Sequence, residues 1–139
     1  MTNAARRNPS RRRGKCACAL QQTVIIDIFM KQYVVDQIRP QDYESIRERL
    51  EARFGKPRLD SIYWIELPHG QLTDTQKSHS DCSPFYFAAE LENDRLSCEL
   101  LVRSSVILRC DCIGYATVDQ RNWPIAEIDA MLQELGISL

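Results

Sequence analysis

The sequence predicts an α+β domain: a sheet of about five strands, mostly antiparallel, with two long helices packed on one face. Three observations carry this expectation. Residues 40–54 and 123–135 each place apolar side chains on a single stripe at helical spacing, so both helices need a sheet face to cover that stripe. Residues 85–91, 95–103 and 106–115 are separated by short turns and rich in β-formers, which makes consecutive hairpins the natural connection. The element order that results is β-α-β-short α-β-β-β-α.

The first strand is Lys31 to Ile38, centred on Tyr33-Val34-Val35. Arg39-Pro40 then opens a helix, because proline is tolerated at the first helical position. Asp42 and Glu44 suit its first turn, and Tyr43, Ile46, Leu50 and Phe54 form the apolar stripe. Gly55 and Pro57 end it. Ser61 to Leu67 is the second strand, stopped by Pro68-His69-Gly70. Thr73-Asp74-Thr75-Gln76 is a capping-box pattern and predicts a short helix reaching about His79.

Phe85 to Leu91 is the third strand, Glu92-Asn93-Asp94 a turn, and Arg95 to Arg103 the fourth strand. Ser104-Ser105 reads as a second tight turn, followed by a fifth strand from Val106 to Tyr115. Trp123-Pro124 starts the last helix, with Ile125, Ile128, Met131, Leu132 and Leu135 as its stripe and Gly136 as its stop.

The chain has 139 residues, 44% hydrophobic and 27% charged, the values of one globular domain with a core of its own. It contains no run of about 18 apolar residues, the length that a transmembrane helix needs. Its net charge of −1 conceals an asymmetry. Residues 1–15 carry six bases (Arg6, Arg7, Arg11, Arg12, Arg13 and Lys15) and no acid, which leaves 12 bases against 19 acids in 16–139. Residues 1–29 therefore read as a basic, disordered extension, and residues 30–139 as a single acidic domain opening near Met30. The apolar run that ends at Phe29 is interrupted by Gln21, Gln22, Thr23 and Asp27, and is not read as a secretory signal.

Six cysteines are present: Cys16, Cys18, Cys82, Cys98, Cys110 and Cys112. With a sufficient core and no export signal, they are expected as reduced thiols in a cytoplasmic protein. Period-2 alternation puts Cys98, Cys110 and Cys112 on the strand faces that carry leucine and valine, so they are expected to pack as small hydrophobes. No cofactor is expected on that reading. The alternative is zinc: His79-x-x-Cys82 and Cys110-x-Cys112 together supply four ligands whose softness suits a tetrahedral site. Convergence of those sulfurs on the His79 ring would reverse the order of the two readings.

No Gly-x-Gly-x-x-Gly and no Walker loop occur, and five glycines leave little for phosphate cradles. A His79–Cys82 pair lacks the third, orienting group of a nucleophilic site. No catalysis is inferred. The favoured function is a small interaction module that binds a protein partner or a second copy through its open sheet face. That face is expected to show Tyr86, Glu90, Glu99, Leu101, Arg103, Ile107, Arg109, Asp111, Ile113 and Tyr115, with Glu99 paired to Arg109 across strands. Nucleic-acid binding is confined to the basic arm, residues 6–15, because the remainder is acidic. No membrane association is expected.

Overall fold

A computed structural model describes residues 31–138. The basic arm, Cys16, Cys18 and the apolar run ending at Phe29 lie outside the described residues. The architecture is α+β: an open sheet of six strands with three helices, two of them long. In chain order the elements are β1 (Gln32–Val35), α1 (Pro40–Phe54), β2 (Ile62–Glu66), α2 (Asp74–Ser78), β3 (Phe85–Leu91), β4 (Leu96–Glu99), β5 (Leu101–Ser104), β6 (Gly114–Tyr115) and α3 (Val118–Glu134). All strand pairings among the described residues are antiparallel.

β3 is the centre of the sheet. It pairs with β2 along one edge and with β4 and β5 in succession along the other. The expected fourth strand thus exists, but in two pieces. Ala89 lies opposite Cys98, whereas Tyr86 lies opposite Arg103, so β3 advances three residues while its partner advances five. The two extra residues form a bulge, which bends a strand and re-aims its ladder. Leu100 sits at the break and changes partners there. Its N–H donates to Lys31 O at 2.9 Å, and its carbonyl accepts from Ala116 N at 2.9 Å. β1 and β6 therefore follow each other along the outer edge, β1 on β4 and β6 on β5.

The alternation expected for β3 and for the β4–β5 strand holds. Phe85, Phe87, Ala89 and Leu91 are buried, as are Leu96, Cys98, Leu100 and Val102. All of these except Leu100 share one core with Ile46 and Leu50 of α1 and Ile128, Met131 and Leu132 of α3, so both long helices cover the same sheet face. Truncating any of these large side chains to alanine costs about 2–5 kcal/mol. The helices are also tied to each other at the surface, Arg53 to Glu127 at 2.6 Å and Arg49 to Glu134 at 2.8 Å. Exposed pairs of this kind contribute about 0–1 kcal/mol each.

α1 begins with Pro40 at its first position and ends at Gly55, whose φ of 87° favours glycine. The last helix differs from expectation. It starts at Val118, not at Trp123, because Thr117 caps it: Thr117 Oγ1 accepts from Gln120 N and Gln120 Oε1 accepts from Thr117 N. Pro124 lies inside the helix and is buried. The other end is a Schellman motif, with Ile137 N donating to Leu132 O and Gly136 N to Gln133 O, both at 2.9 Å.

The expected fifth strand is the main correction. Only Gly114 and Tyr115 of the segment 106–115 are strand; residues 105–113 form a loop that leaves the sheet. The β-branched composition of Val106-Ile107 pointed to a strand, but local hydrogen bonding by Ser104 wins over that propensity. Val106 and Leu108 are exposed, the latter at 96%. The face assignment of Cys110 and Cys112, which presumed a strand, falls with it. No helix among the described residues is long and apolar enough to cross a membrane.

Candidate metal centre

Two loops meet at one end of the sheet. The first descends from α2. Thr73 and Gln76 form the expected capping box, with Thr73 Oγ1 accepting from Gln76 N at 3.3 Å and Gln76 Oε1 accepting from Thr73 N at 3.0 Å. The helix stops at His79, and the chain tightens into a 3-10 turn over Ser80–Cys82, closed by Cys82 N donating to His79 O at 3.0 Å. A 3-10 turn has about three residues per turn, so side chains at i and i+3 eclipse. That is why His79 and Cys82 project to the same side.

The second loop, 105–113, is rooted at Ser104. Its buried hydroxyl donates to Cys82 O and accepts from Val106 N and Ile107 N, each at 3.1 Å. One donor and two lone pairs are thereby all used. Further along, Ile113 N donates to Cys110 O at 3.0 Å and forms a turn. Gln76 Nε2 donates to Cys112 O at 3.1 Å, anchoring that turn to α2. The cysteines thus come from a folded loop held against the His79–Cys82 segment.

The outcome is a cluster of four donors. One ligand atom from each of His79, Cys82, Cys110 and Cys112 lies within 4.8 Å of all the others. His79 Nδ1 is 3.1 Å from Cys110 Sγ, and Cys82 Sγ is 3.9 Å from Cys110 Sγ. In a tetrahedral zinc site, Zn–S bonds of about 2.3 Å separate sulfurs by about 3.8 Å, and sulfur from nitrogen by about 3.5 Å. The spacing matches within a few tenths of an ångström for the two close pairs. Cys82 and Cys112 are buried, while His79 and Cys110 are half-buried. All three cysteines are free, as is the buried Cys98 in the sheet.

The thiols are not equivalent. The backbone N–H of Cys112 stabilises the Cys110 thiolate most. The Cys112, His79 and Cys82 side chains add to this, and burial partly opposes it, leaving the Cys110 thiol near 7. Burial raises the Cys82 thiol above its ordinary range. It pushes Cys112 up to about 12, with the neighbouring sulfurs adding to the shift. Cys98, deep in the core, is also pushed up to about 12 by burial, which fits its expected role as a small hydrophobe.

The expected open-face surface is only partly assembled. Tyr86, Glu90, Glu99, Leu101 and Arg103 alternate with the buried residues of β3, β4 and β5, and Tyr115 lies opposite Leu101. Ile107, Arg109, Asp111 and Ile113 sit on the 105–113 loop and do not extend that face. Glu99 pairs with Arg103 at 3.0 Å, not with Arg109. Trp64 was not anticipated there; it stacks on Tyr86 with ring centroids 4.0 Å apart, and Arg58 lies over it at 5.0 Å. The basic arm, residues 6–15, is outside the described residues.

The sequence reading has Gln76 as a capping residue and Ser104 as a turn residue but not their contacts to Cys112 O and Cys82 O, and it lacks the cap at Gln120, although Thr117-x-x-Gln120 repeats the capping-box signal of Thr73-x-x-Gln76. Comparison of the chain with models of known families, with curated proteins and with solved structures finds no match to any of them.

Proposed function

We propose that the chain is a zinc-binding domain in which His79, Cys82, Cys110 and Cys112 hold one ion in a structural role. The observation that carries this is the convergence of four donor atoms within 4.8 Å, drawn from two segments 28 residues apart at their nearest ligands, Cys82 and Cys110. Four protein ligands complete a tetrahedron and leave no open position for a substrate, the mark of a structural site. The ion would clip the 105–113 loop to the His79–Cys82 turn. His79 would ligate through Nδ1, the ring nitrogen that faces Cys110. Such a site needs reduced thiols, which accords with the cytoplasmic location expected from the sequence.

The test is metal analysis of protein purified under reducing conditions. Zinc in equal amount to the chain is expected, and cobalt substituted for it should give the intense thiolate-to-metal absorption of a tetrahedral sulfur site. Absence of both, with melting unchanged by a chelator, would overturn the proposal.

A second reading, partner binding or self-association through the sheet face, draws support from the partly exposed Trp64, Tyr86 and Leu101 and the exposed Tyr115. A monomer at high concentration by light scattering, bound to nothing and indifferent to Leu101→Glu, would dispose of it. Nucleic-acid binding remains a property to seek in residues 6–15, by salt-dependent binding before and after their deletion.

A further inference from the structure

We propose that this centre is also a redox switch, in which peroxide joins Cys82 to Cys110 through a disulfide and discharges the metal. The inference rests on the zinc reading above. Its basis is the unequal placing of the three sulfurs. Cys82 Sγ and Cys110 Sγ are 3.9 Å apart, so a bond of about 2.05 Å needs a closure of only about 2 Å. Cys110 belongs to a loop whose neighbours Val106 and Leu108 are exposed, which leaves it room to move.

Cys110 is half-buried, whereas Cys82 and Cys112 are each 4% exposed, so a small oxidant reaches Cys110 first. A bridge between Cys110 and Cys112 would span a single residue within a turn already closed by the Ile113–Cys110 bond, a geometry that resists disulfide formation. Cys98 lies in the sheet core and its Sγ faces Glu99 O, so it takes no part.

The chemistry balances with hydrogen peroxide as the oxidant. The Cys110 thiolate attacks one peroxide oxygen; an S–O bond forms, the O–O bond breaks, and the departing hydroxide takes a proton to become water. The Cys82 thiolate then attacks the Cys110 sulfur. The S–S bond forms, the S–O bond breaks, and the departing hydroxide takes a second proton from solvent and leaves as water. Two electrons pass from the two sulfurs to one peroxide. Only His79 and Cys112 remain as donors, half of the four that a structural zinc site requires, so the ion departs.

The experiment uses the full, reduced, zinc-loaded chain. Peroxide is added in the presence of a colorimetric zinc indicator, and the thiols are then alkylated and mapped by mass spectrometry. Zinc and the Cys82–Cys110 disulfide should appear in equal amounts and at equal rates, with Cys98 and Cys112 still alkylated, and a thiol reductant with zinc should restore the site. A bridge from Cys110 to any other cysteine, or oxidation to the sulfinate without a bridge, overturns the switch. A reduced chain that takes up no zinc overturns the zinc reading and the discharge with it. A chain that holds zinc and forms no Cys82–Cys110 bond overturns the switch alone.

Discussion

Gln120 Nε2 donates to Gln76 Oε1 at 2.8 Å, joining two helix caps through the residues that build them. Each glutamine is the fourth and last residue of a capping box, Gln76 behind Thr73 and Gln120 behind Thr117, and both are buried, at 5% and 3% exposure. Gln76 passes the connection to Cys112 O, and Gln120 passes it to Gln71 O at 2.9 Å. The start of α3 is thereby linked through α2 to the loop that carries two of the four proposed ligands. A buried polar network fully satisfied in this way is specific about geometry and intolerant of partial removal.

That intolerance gives the first prediction. Gln76→Ala leaves Cys112 O and Thr73 N without their side-chain partner and removes one of the two contacts of Gln120 Nε2, and a buried group left unpaired costs about 1–3 kcal/mol. A destabilisation in that range is expected in chemical denaturation. Gln76→Ala and Gln120→Ala combined should cost less than the sum of the two, with a coupling of about 0.5–3 kcal/mol. Strict additivity would show that the two caps act independently. Zinc affinity of Gln76→Ala should fall about tenfold, the scale on which supporting hydrogen bonds affect metal sites.

Removal of zinc tests a different link. If the ion clips the 105–113 loop, a chelator should lower the melting temperature and raise amide exchange first in residues 105–113, while the β2–β3 ladder stays protected. Cys112→Ser should abolish tight binding, since the serine hydroxyl is a poor zinc ligand at neutral pH. Cys98→Ala should leave zinc uptake intact while weakening the fold, because Cys98 is a core side chain. Loss of zinc in Cys98→Ala, measured on folded protein, would contradict the assignment of ligands.

How much of this was legible in the sequence depended on whether the signal was local. Phe85 to Leu91 is a continuous β-rich run between Pro84 and the Glu92-Asn93-Asp94 turn, and strand β3 has those same limits. Thr73-x-x-Gln76 is a short-range pattern, and its helix formed where expected. Pro124 misled because proline is as acceptable at a first helical position as it is unwelcome inside, so it masked the cap at Thr117. The loop 105–113 was misread for a longer-range reason. Its residues favour strand, but Ser104 is committed to Cys82 O, a partner 22 residues earlier in the chain. The four ligands were identifiable by type and spacing. Their convergence was not, because it depends on a loop held by Ser104 and Gln76 from elsewhere in the chain.

Alkaline pH offers a test of the contact between β1 and α3. Tyr33 Oη donates to Asp129 Oδ1, and burial first, then this bond and the Asp129 charge, push the Tyr33 phenol up to about 12. The folded state therefore holds the proton more tightly than the unfolded chain, whose phenol titrates near 10. Stabilisation from this contact is complete below about pH 10 and is lost as pH rises from about 10 toward about 12. Tyr33→Phe should remove that part of the pH dependence, visible as a stability difference from the native chain that shrinks across this window. Tyr63, also raised chiefly by burial, is common to both proteins and cancels in the comparison. A difference that grows with pH would have the wrong sign.

Ser104 supplies the sharpest single-atom test, because its hydroxyl serves both halves of the centre. It donates to Cys82 O on one side and accepts from Val106 N and Ile107 N on the other. Ser104→Ala removes one oxygen and strands three backbone groups, two at the root of the 105–113 loop and one on a ligand residue. A buried group without a partner costs about 1–3 kcal/mol, and relaxation of the loop toward water lowers the total. A loss of about 2 kcal/mol in stability is expected, together with weaker zinc binding, because the loop bearing Cys110 and Cys112 is no longer pinned to the turn bearing Cys82. Ser105→Ala is the matched control. The tie at Ser105 is its backbone N–H to Pro84 O at 3.0 Å, which alanine retains, so a change within about 0.5 kcal/mol is expected. Equal stability and equal zinc affinity in the two variants would show that the Ser104 hydroxyl does not organise the site.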